Sequence, residues 1–175
     1  MIYWILTDTH LGHARMQEYA SRPEGFEERI FAGLEVIKPE DVLIHLGDFC
    51  IRRDEYWHEQ FMSCCAAGKK WLLRGNHDKK TTAWYLEHGW DCVATQLIMR
   101  LHGRDLALSH YPLPKGEWEL NIHGHLHNTR HRLRKEPELA TLITPAHWLV
   151  SIEENDYQPV NLRKIVERHA NPTLA

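Results

Sequence analysis

The 175-residue chain has no excess of either charge: 21 Lys and Arg face 24 Asp and Glu, a formal net charge of −3. That balance does not mark a general nucleic-acid binder. No apolar run approaches the roughly 20 residues that a membrane span requires. The opening Met1–Leu6 stretch lacks a basic flank, so a secretory leader is not expected and a cytoplasmic location is. Four cysteines (Cys50, Cys64, Cys65 and Cys92) make no C-x-x-C pair and a poor disulfide framework, which fits free thiols in a reducing compartment. No repeat, low-complexity tract or linker-like shift interrupts the chain, and a single domain over 1–175 is expected. Glycine is outnumbered by histidine, 10 to 14, and histidine is the commonest metal ligand.

Apolar patterning sets the expected elements. Tyr3–Thr7, Val42–Leu46 and Lys70–Arg74 read as short strands covered on both faces. Phe26, Ile30, Leu34 and Ile37 recur at helical spacing before Pro39; Glu55–Ala67, Thr81–His88 and Leu162–His169 also read as helices. Val93–Leu101 and Asp105–Ser109 form an expected hairpin around His102-Gly103-Arg104, followed by strands at Leu120–His123 and Ala146–Ile152. A β-α-β-α-β half thus precedes a strand-rich half. The pattern predicts a mixed sheet, or two packed sheets, with helices outside.

The chemistry lies at the strand ends. Thr7-Asp8-Thr9-His10 comes after the first, Gly47-Asp48 after the second and Gly75-Asn76-His77-Asp78 after the third. Ser109 leads into His110, and Ile122-His123 into Gly124-His125-Leu126-His127. Open α/β sheets bind ligands at the carboxyl ends of their strands, so these groups can converge. Gly47, Gly75 and Gly124 suit the tight turns involved. Asp8, His10, Asp48, Asn76, His110, His125 and His127 make seven oxygen and imidazole donors, too many for one tetrahedral ion. Two divalent ions sharing one carboxylate, about 3.5–4 Å apart, use them naturally and can clamp a phosphoryl displacement.

The ordered series D8-x-H10, G47-D48, G75-N76-H77-D78, H110 and G124-H125-x-H127 resembles the calcineurin-like metallophosphoesterases. Leu108-Ser109-His110-Tyr111-Pro112 and the Asp156–Leu162 segment look like those of small bacterial and phage members. The resemblance implies an α/β fold, a four-layer α-β-β-α sandwich of two mixed sheets flanked by helices. It assigns Asp8, His10, Asp48 and His127 to one ion and Asp48, Asn76, His110 and His125 to the other, with Asp48 bridging. His77 would orient or protonate near the scissile phosphate, and Asp78 would hold His77.

The expected reaction is phosphodiester hydrolysis, on nucleotides or nucleic-acid ends, by in-line attack of hydroxide formed between two metal ions. Mn²⁺ is the favoured metal, with Fe, Zn, Co or Ni as alternatives. Phosphomonoester hydrolysis is the runner-up, and a non-catalytic binding module on the same fold is the rival from another class; every filled ligand position argues against that rival. The expected partner is a phosphoester substrate, with no membrane and no obligate protein partner. His13, Arg74, Trp118 and Arg130 are candidate substrate contacts; Arg132, Arg134 and Lys135, with Arg52 and Arg53, could extend a positive rim. His45 and His123 are candidates to support the ligands from behind. His58, His88, His102, His131, His147 and His169 are expected at the surface or in ordinary packing.

Overall fold

The computed structural model describes residues 1–128 and 131–171. Four parallel strands, β1 (Tyr3–Leu6), β2 (Val42–His45), β3 (Lys69–Leu73) and β4 (Cys92–Ala94), lie in the order β4-β3-β2-β1. The antiparallel β9 (Val160–Asn161) closes the β1 edge. In the second sheet, β5 (Gln96–Leu101) runs antiparallel to β6 (Arg104–Ser109); β7 (Leu120–His123) and β8 (His147–Leu149) then add in parallel. The helices are α1 (Met16–Tyr19), α2 (Phe26–Gly33), α3 (Asp54–Cys64), α4 (Thr82–Glu87), α5 (His131–Lys135), α6 (Pro137–Ala140) and α7 (Leu162–Ala170). Two mixed sheets flanked by helices are therefore the architecture. Among the described residues, no helix is long and apolar enough to cross a membrane.

Period-two alternation explains why the first strands are apolar throughout. Leu6, Leu43 and Leu72 join Phe26, Ile30, Phe61 and Tyr85 in one core. Their neighbours Ile5, Ile44 and Leu73 point the other way, into a core shared with Leu106, Leu108 and Ile122 of the second sheet and Ile165 of α7. At about 1.5–3 kcal/mol for each fully buried aliphatic or aromatic side chain, these two clusters fix which strand ends meet.

Several boundaries differ from the sequence expectation. Val93–Leu101 is not one strand: consecutive exposed Thr95 and Gln96 break the alternation, and there the chain leaves the first sheet for the second. The hairpin turn narrows to His102 and Gly103, both at positive φ (52° and 77°), as a two-residue turn requires. The late strand shrinks to His147–Leu149, and the helix expected to reach Ile37 passes into a 3₁₀ turn after Gly33. Short α1, α5, α6 and the two-residue β9 carry too little apolar periodicity to be read from sequence.

Candidate metal centre

Five of the seven expected ligands sit in left-handed backbone: Asp8 (φ 50°), His10 (46°), Asp48 (55°), His125 (68°) and His127 (50°). A non-glycine residue rarely adopts this conformation, and its concentration at strand ends marks strain held by the surrounding loops. Hydrogen bonds lock those loops together. Asp8 N donates to Gly47 O (2.9 Å), His10 N to Asp48 O (3.0 Å) and Gly124 N to His110 O (3.1 Å). Close approach requires glycine at several of these turns. A Cβ on Gly75 would collide with Asp48 Oδ1, and one on Gly124 with Thr7 Oγ1 and Asp8 Oδ2.

The side chains fall into two buried groups, Asp8–His10–His127 and Asp48–His110–His125, whose donor atoms lie within 4.8 Å of one another in each group. Both carboxylates are half engaged. Asp8 Oδ2 accepts from Thr7 Oγ1 (2.6 Å) and His125 N (2.9 Å), and Asp48 Oδ1 accepts from His77 N (2.8 Å). Their other oxygens, Asp8 Oδ1 and Asp48 Oδ2, are buried without a hydrogen-bond partner, as is His10 Nε2. Asp48 Oδ2 lies between the groups, 3.6 Å from His10 Nε2 and 3.4 Å from His110 Nε2. His127 Nε2 is 3.7 Å from Asp8 Oδ1, and Asn76 Oδ1 is 3.2 Å from His110 Nε2.

Each imidazole but one has its outer nitrogen held by a protein acceptor. His110 Nδ1 donates to Leu46 O (2.8 Å), His127 Nδ1 to Glu153 Oε1 (3.0 Å) and His125 Nε2 to Glu136 Oε2 (3.1 Å). These bonds select the tautomer that leaves the inner nitrogen a lone pair, the arrangement that metal-ligating histidines use. Among these four imidazoles His10 is the exception, with neither nitrogen bonded.

The electrostatics also call for cations. Burial drives His10 and His125 below the usual imidazole range, keeping them neutral. Burial disfavours the charged form of His110, but the adjacent Asp48 carboxylate outweighs it and holds that imidazole above its usual range. The buried carboxylate thus favours positive charge on the side of the site that His110 faces. Orphaned buried oxygens cost about 1–3 kcal/mol each, so their convergence with imidazole lone pairs fits a pair of divalent ions. The donor set contains oxygen and nitrogen only, which suits borderline and hard metals alike and does not choose between them.

The surrounding residues sort differently from the sequence expectation. His77 is 33% exposed, with Nε2 3.9 Å from Asp48 Oδ2. It lines a cavity of about 130 Å³ together with His10, His13, Arg132 and Lys135. His13 titrates below its usual range, through burial and then the positive charges of His77, Arg15, Arg22 and Arg52. Asp78 does not hold the His77 ring. Its buried carboxylate instead accepts from Asp48 N (2.8 Å), Phe49 N (3.0 Å) and Gly75 N (2.8 Å), clasping two ligand loops together. Its positioning action is therefore on Asp48.

Arg74 is likewise turned from the cavity, donating from Nη2 to Asp78 O (2.9 Å). Trp118 packs edge-on against His147 (5.2 Å), on the second sheet's side, and does not line that cavity. Arg130 lies outside the described residues. His45 supports the ligand loops, accepting from Gly47 N (3.1 Å) and meeting Thr9 Oγ1 (3.0 Å); burial lowers its pKa to about 3. His123 donates to Gly124 O (3.0 Å), and burial lowers its pKa to about 4. It lines a second cavity of about 280 Å³ with His127, Leu126 and Leu133.

Sequence reading did not single out Arg22, Glu136 or Glu153. The Arg22 guanidinium donates to Asp8 O (2.6 Å), Thr9 O (2.7 Å) and Glu153 Oε1 (2.7 Å), and Ser151 Oγ donates to Glu153 Oε2 (2.7 Å). The neighbouring His127 and Arg22 hold the Glu153 carboxyl at about 2, against the opposing effect of burial. No local motif connects these residues, and only the fold brings them together.

The chain resembles several known proteins. An uncharacterized protein of Methanocaldococcus jannaschii, MJ1445, is 28% identical over 94% of this chain and 89% of its own. The crystal structure of AQ665 from Aquifex aeolicus, a protein of unknown function, matches with a TM-score of 0.74 and 28% identity over 95% of this chain and 98% of that one. A novel archaeal phosphodiesterase matches more remotely, at 17% identity and a TM-score of 0.45, over 74% of this chain and 75% of that one. The family model for the calcineurin-like phosphoesterases spans residues 1–172, and the chain belongs to that family.

Proposed function

We propose that the protein is a dinuclear-metal phosphodiesterase acting on nucleotide or nucleic-acid phosphoesters. The observation that carries this reading is the unpartnered Asp48 Oδ2, set between His10 Nε2 and His110 Nε2 at 3.6 and 3.4 Å. Asp8, His10, Asp48 and His127 would hold one ion; Asp48, Asn76, His110 and His125 would hold the other. When bound, such ions supply Lewis-acid charge at the phosphoryl oxygens and lower the pKa of the attacking water.

The chain's own groups do the rest. His77, part-exposed at the cavity wall, would donate a hydrogen bond or proton to the departing alkoxide. Its backbone N–H steadies Asp48, and the Asp78 clasp holds Asp48 and Gly75 at a fixed separation. Among the described residues, one cavity adjoins the ligands beside His10 and another beside His127. A diester has two substituents to house and a monoester one, which favours the diester.

The test uses chelator-stripped protein reloaded with Mn²⁺, Fe²⁺, Zn²⁺, Co²⁺ or Ni²⁺ in turn. Bis(4-nitrophenyl) phosphate is assayed beside 4-nitrophenyl phosphate. Mn²⁺ is expected to restore the fastest turnover, with the diester ahead. Faster monoester turnover, or full activity in stripped protein, overturns the reading.

A further inference from the structure

We infer that the cavity beside His10 and His77 is a second phosphate subsite, so that the preferred ester carries an additional phosphate near the one cleaved. The inference rests on the hydrolytic reading above and narrows its substrate class. One wall of the cavity is the metal centre itself, through His10 and His77. The remaining wall is supplied by His13, Met16, Tyr19, Arg132 and Lys135, and among the described residues no carboxylate lines the space. Its volume, about 130 Å³, is that of roughly four waters, enough for one phosphate group.

The two cations are presented by the way α5 packs. Arg132 and Lys135 are three residues apart and so share one helix face. Leu133 is turned into the other, more apolar cavity. Anchoring Leu133 there leaves the basic face over the space that opens on the ligands. Arg132 is oriented from behind, Nη1 lying 3.4 Å from Glu136 Oε1, and Glu136 in turn holds His125. The Lys135 side chain makes no hydrogen bond or ion pair among the described residues, so its ammonium has no partner among them to give up. A guanidinium fork and an ammonium facing one small cavity suit a phosphate dianion. The chain's net charge of −3 shows that this clustering does not follow from general basicity.

The experiment compares thymidine 5′-(4-nitrophenyl phosphate) with the same ester bearing a 3′-phosphate, at fixed salt and metal. In the native protein the 3′-phosphate is expected to lower KM about tenfold, as an added ground-state contact does. In Lys135→Ala, and separately in Arg132→Ala, the preference between the two esters is expected to collapse toward one. Lys135→Ala is the cleaner arm, because Arg132 also braces Glu136.

Equal KM for the two esters in the native protein overturns the inference. So does a Lys135→Ala variant that loses the same factor on both esters, since the lysine would then act on the cleaved phosphate. If neither ester is hydrolysed with any metal, the hydrolytic reading fails by itself. The subsite is then decided by calorimetric binding of thymidine 3′,5′-bisphosphate. Affinity at least about fivefold weaker in Lys135→Ala upholds the subsite, and equal affinity overturns it.

Discussion

Arg22 and Glu153, 131 positions apart, form a buried ion pair of 2.7 Å directly behind the candidate metal centre. The pair joins the loop after β1 to the 3₁₀ turn after β8. Through His127 Nδ1 it also sets one expected ligand. Removing one partner of such a pair strands the other charge in the interior, which costs about 3–5 kcal/mol. Arg22→Leu and Glu153→Leu are each expected to lose that much in urea denaturation of metal-free protein, whereas the double substitution should recover a large share. A single-substitution loss below about 1 kcal/mol would show that the pair is not holding the loops.

Gly75 tests the loop geometry from the other side. A methyl group there meets Asp48 N and Oδ1, backbone and ligand together, so the Asp48 loop must move. Gly75→Ala is expected to weaken metal binding at least tenfold and to destabilise the fold by about 1–3 kcal/mol. Native metal affinity in this variant, measured by isothermal calorimetry, would contradict the close packing described.

The convergence of the candidate donors was legible in sequence because each comes after an apolar run, and an apolar run followed by Asp, Asn or His needs no tertiary information to be noticed. The pairing of Thr7-Asp8 with Gly124-His125 likewise comes from strands that share a core through Ile5 and Ile122. The support stayed hidden. Arg22, Glu136 and Glu153 look like ordinary surface charges until the fold places them, and Asp78, adjacent to His77, bonds to Asp48, Phe49 and Gly75 instead. The crossing between sheets at Thr95 was visible only as a lapse in alternation.

His58 gives a prediction about acid stability. Expected at the surface or in ordinary packing, it is buried against Phe49 (4.3 Å), Trp84 (4.9 Å) and Tyr85 (5.6 Å), with Nε2 unpartnered. Burial lowers its pKa to about 4, partly offset by its bond to Asp54 O. The unfolded chain takes up this proton near pH 6.5 and the folded chain only near 4, so stability falls as pH drops through that window. The contribution is about 3 kcal/mol, complete above pH 6.5 and gone below pH 4. His58→Leu is expected to make this limb of the stability–pH curve shallower in metal-free protein without abolishing it, because buried His45 and His123 take up protons over an overlapping range. An unchanged slope between pH 6.5 and 4 would assign the acid sensitivity elsewhere.

Asp48→Asn addresses the shared carboxylate. The amide preserves the shape and the Oδ1 bond from His77 N but removes the charge between the two groups. Turnover on a diester is expected to fall at least about 100-fold, while the far-ultraviolet circular dichroism stays native. Full activity in the variant would remove Asp48 from the reaction.

The most direct measurement counts the ions. Stripped protein titrated with Mn²⁺ in a calorimeter, with bound metal checked by elemental analysis, should take up two equivalents, and Asp48→Asn should lose at least one of them. Uptake of a single equivalent by the native protein, or two equivalents held unchanged by Asp48→Asn, would contradict a paired centre built around that carboxylate.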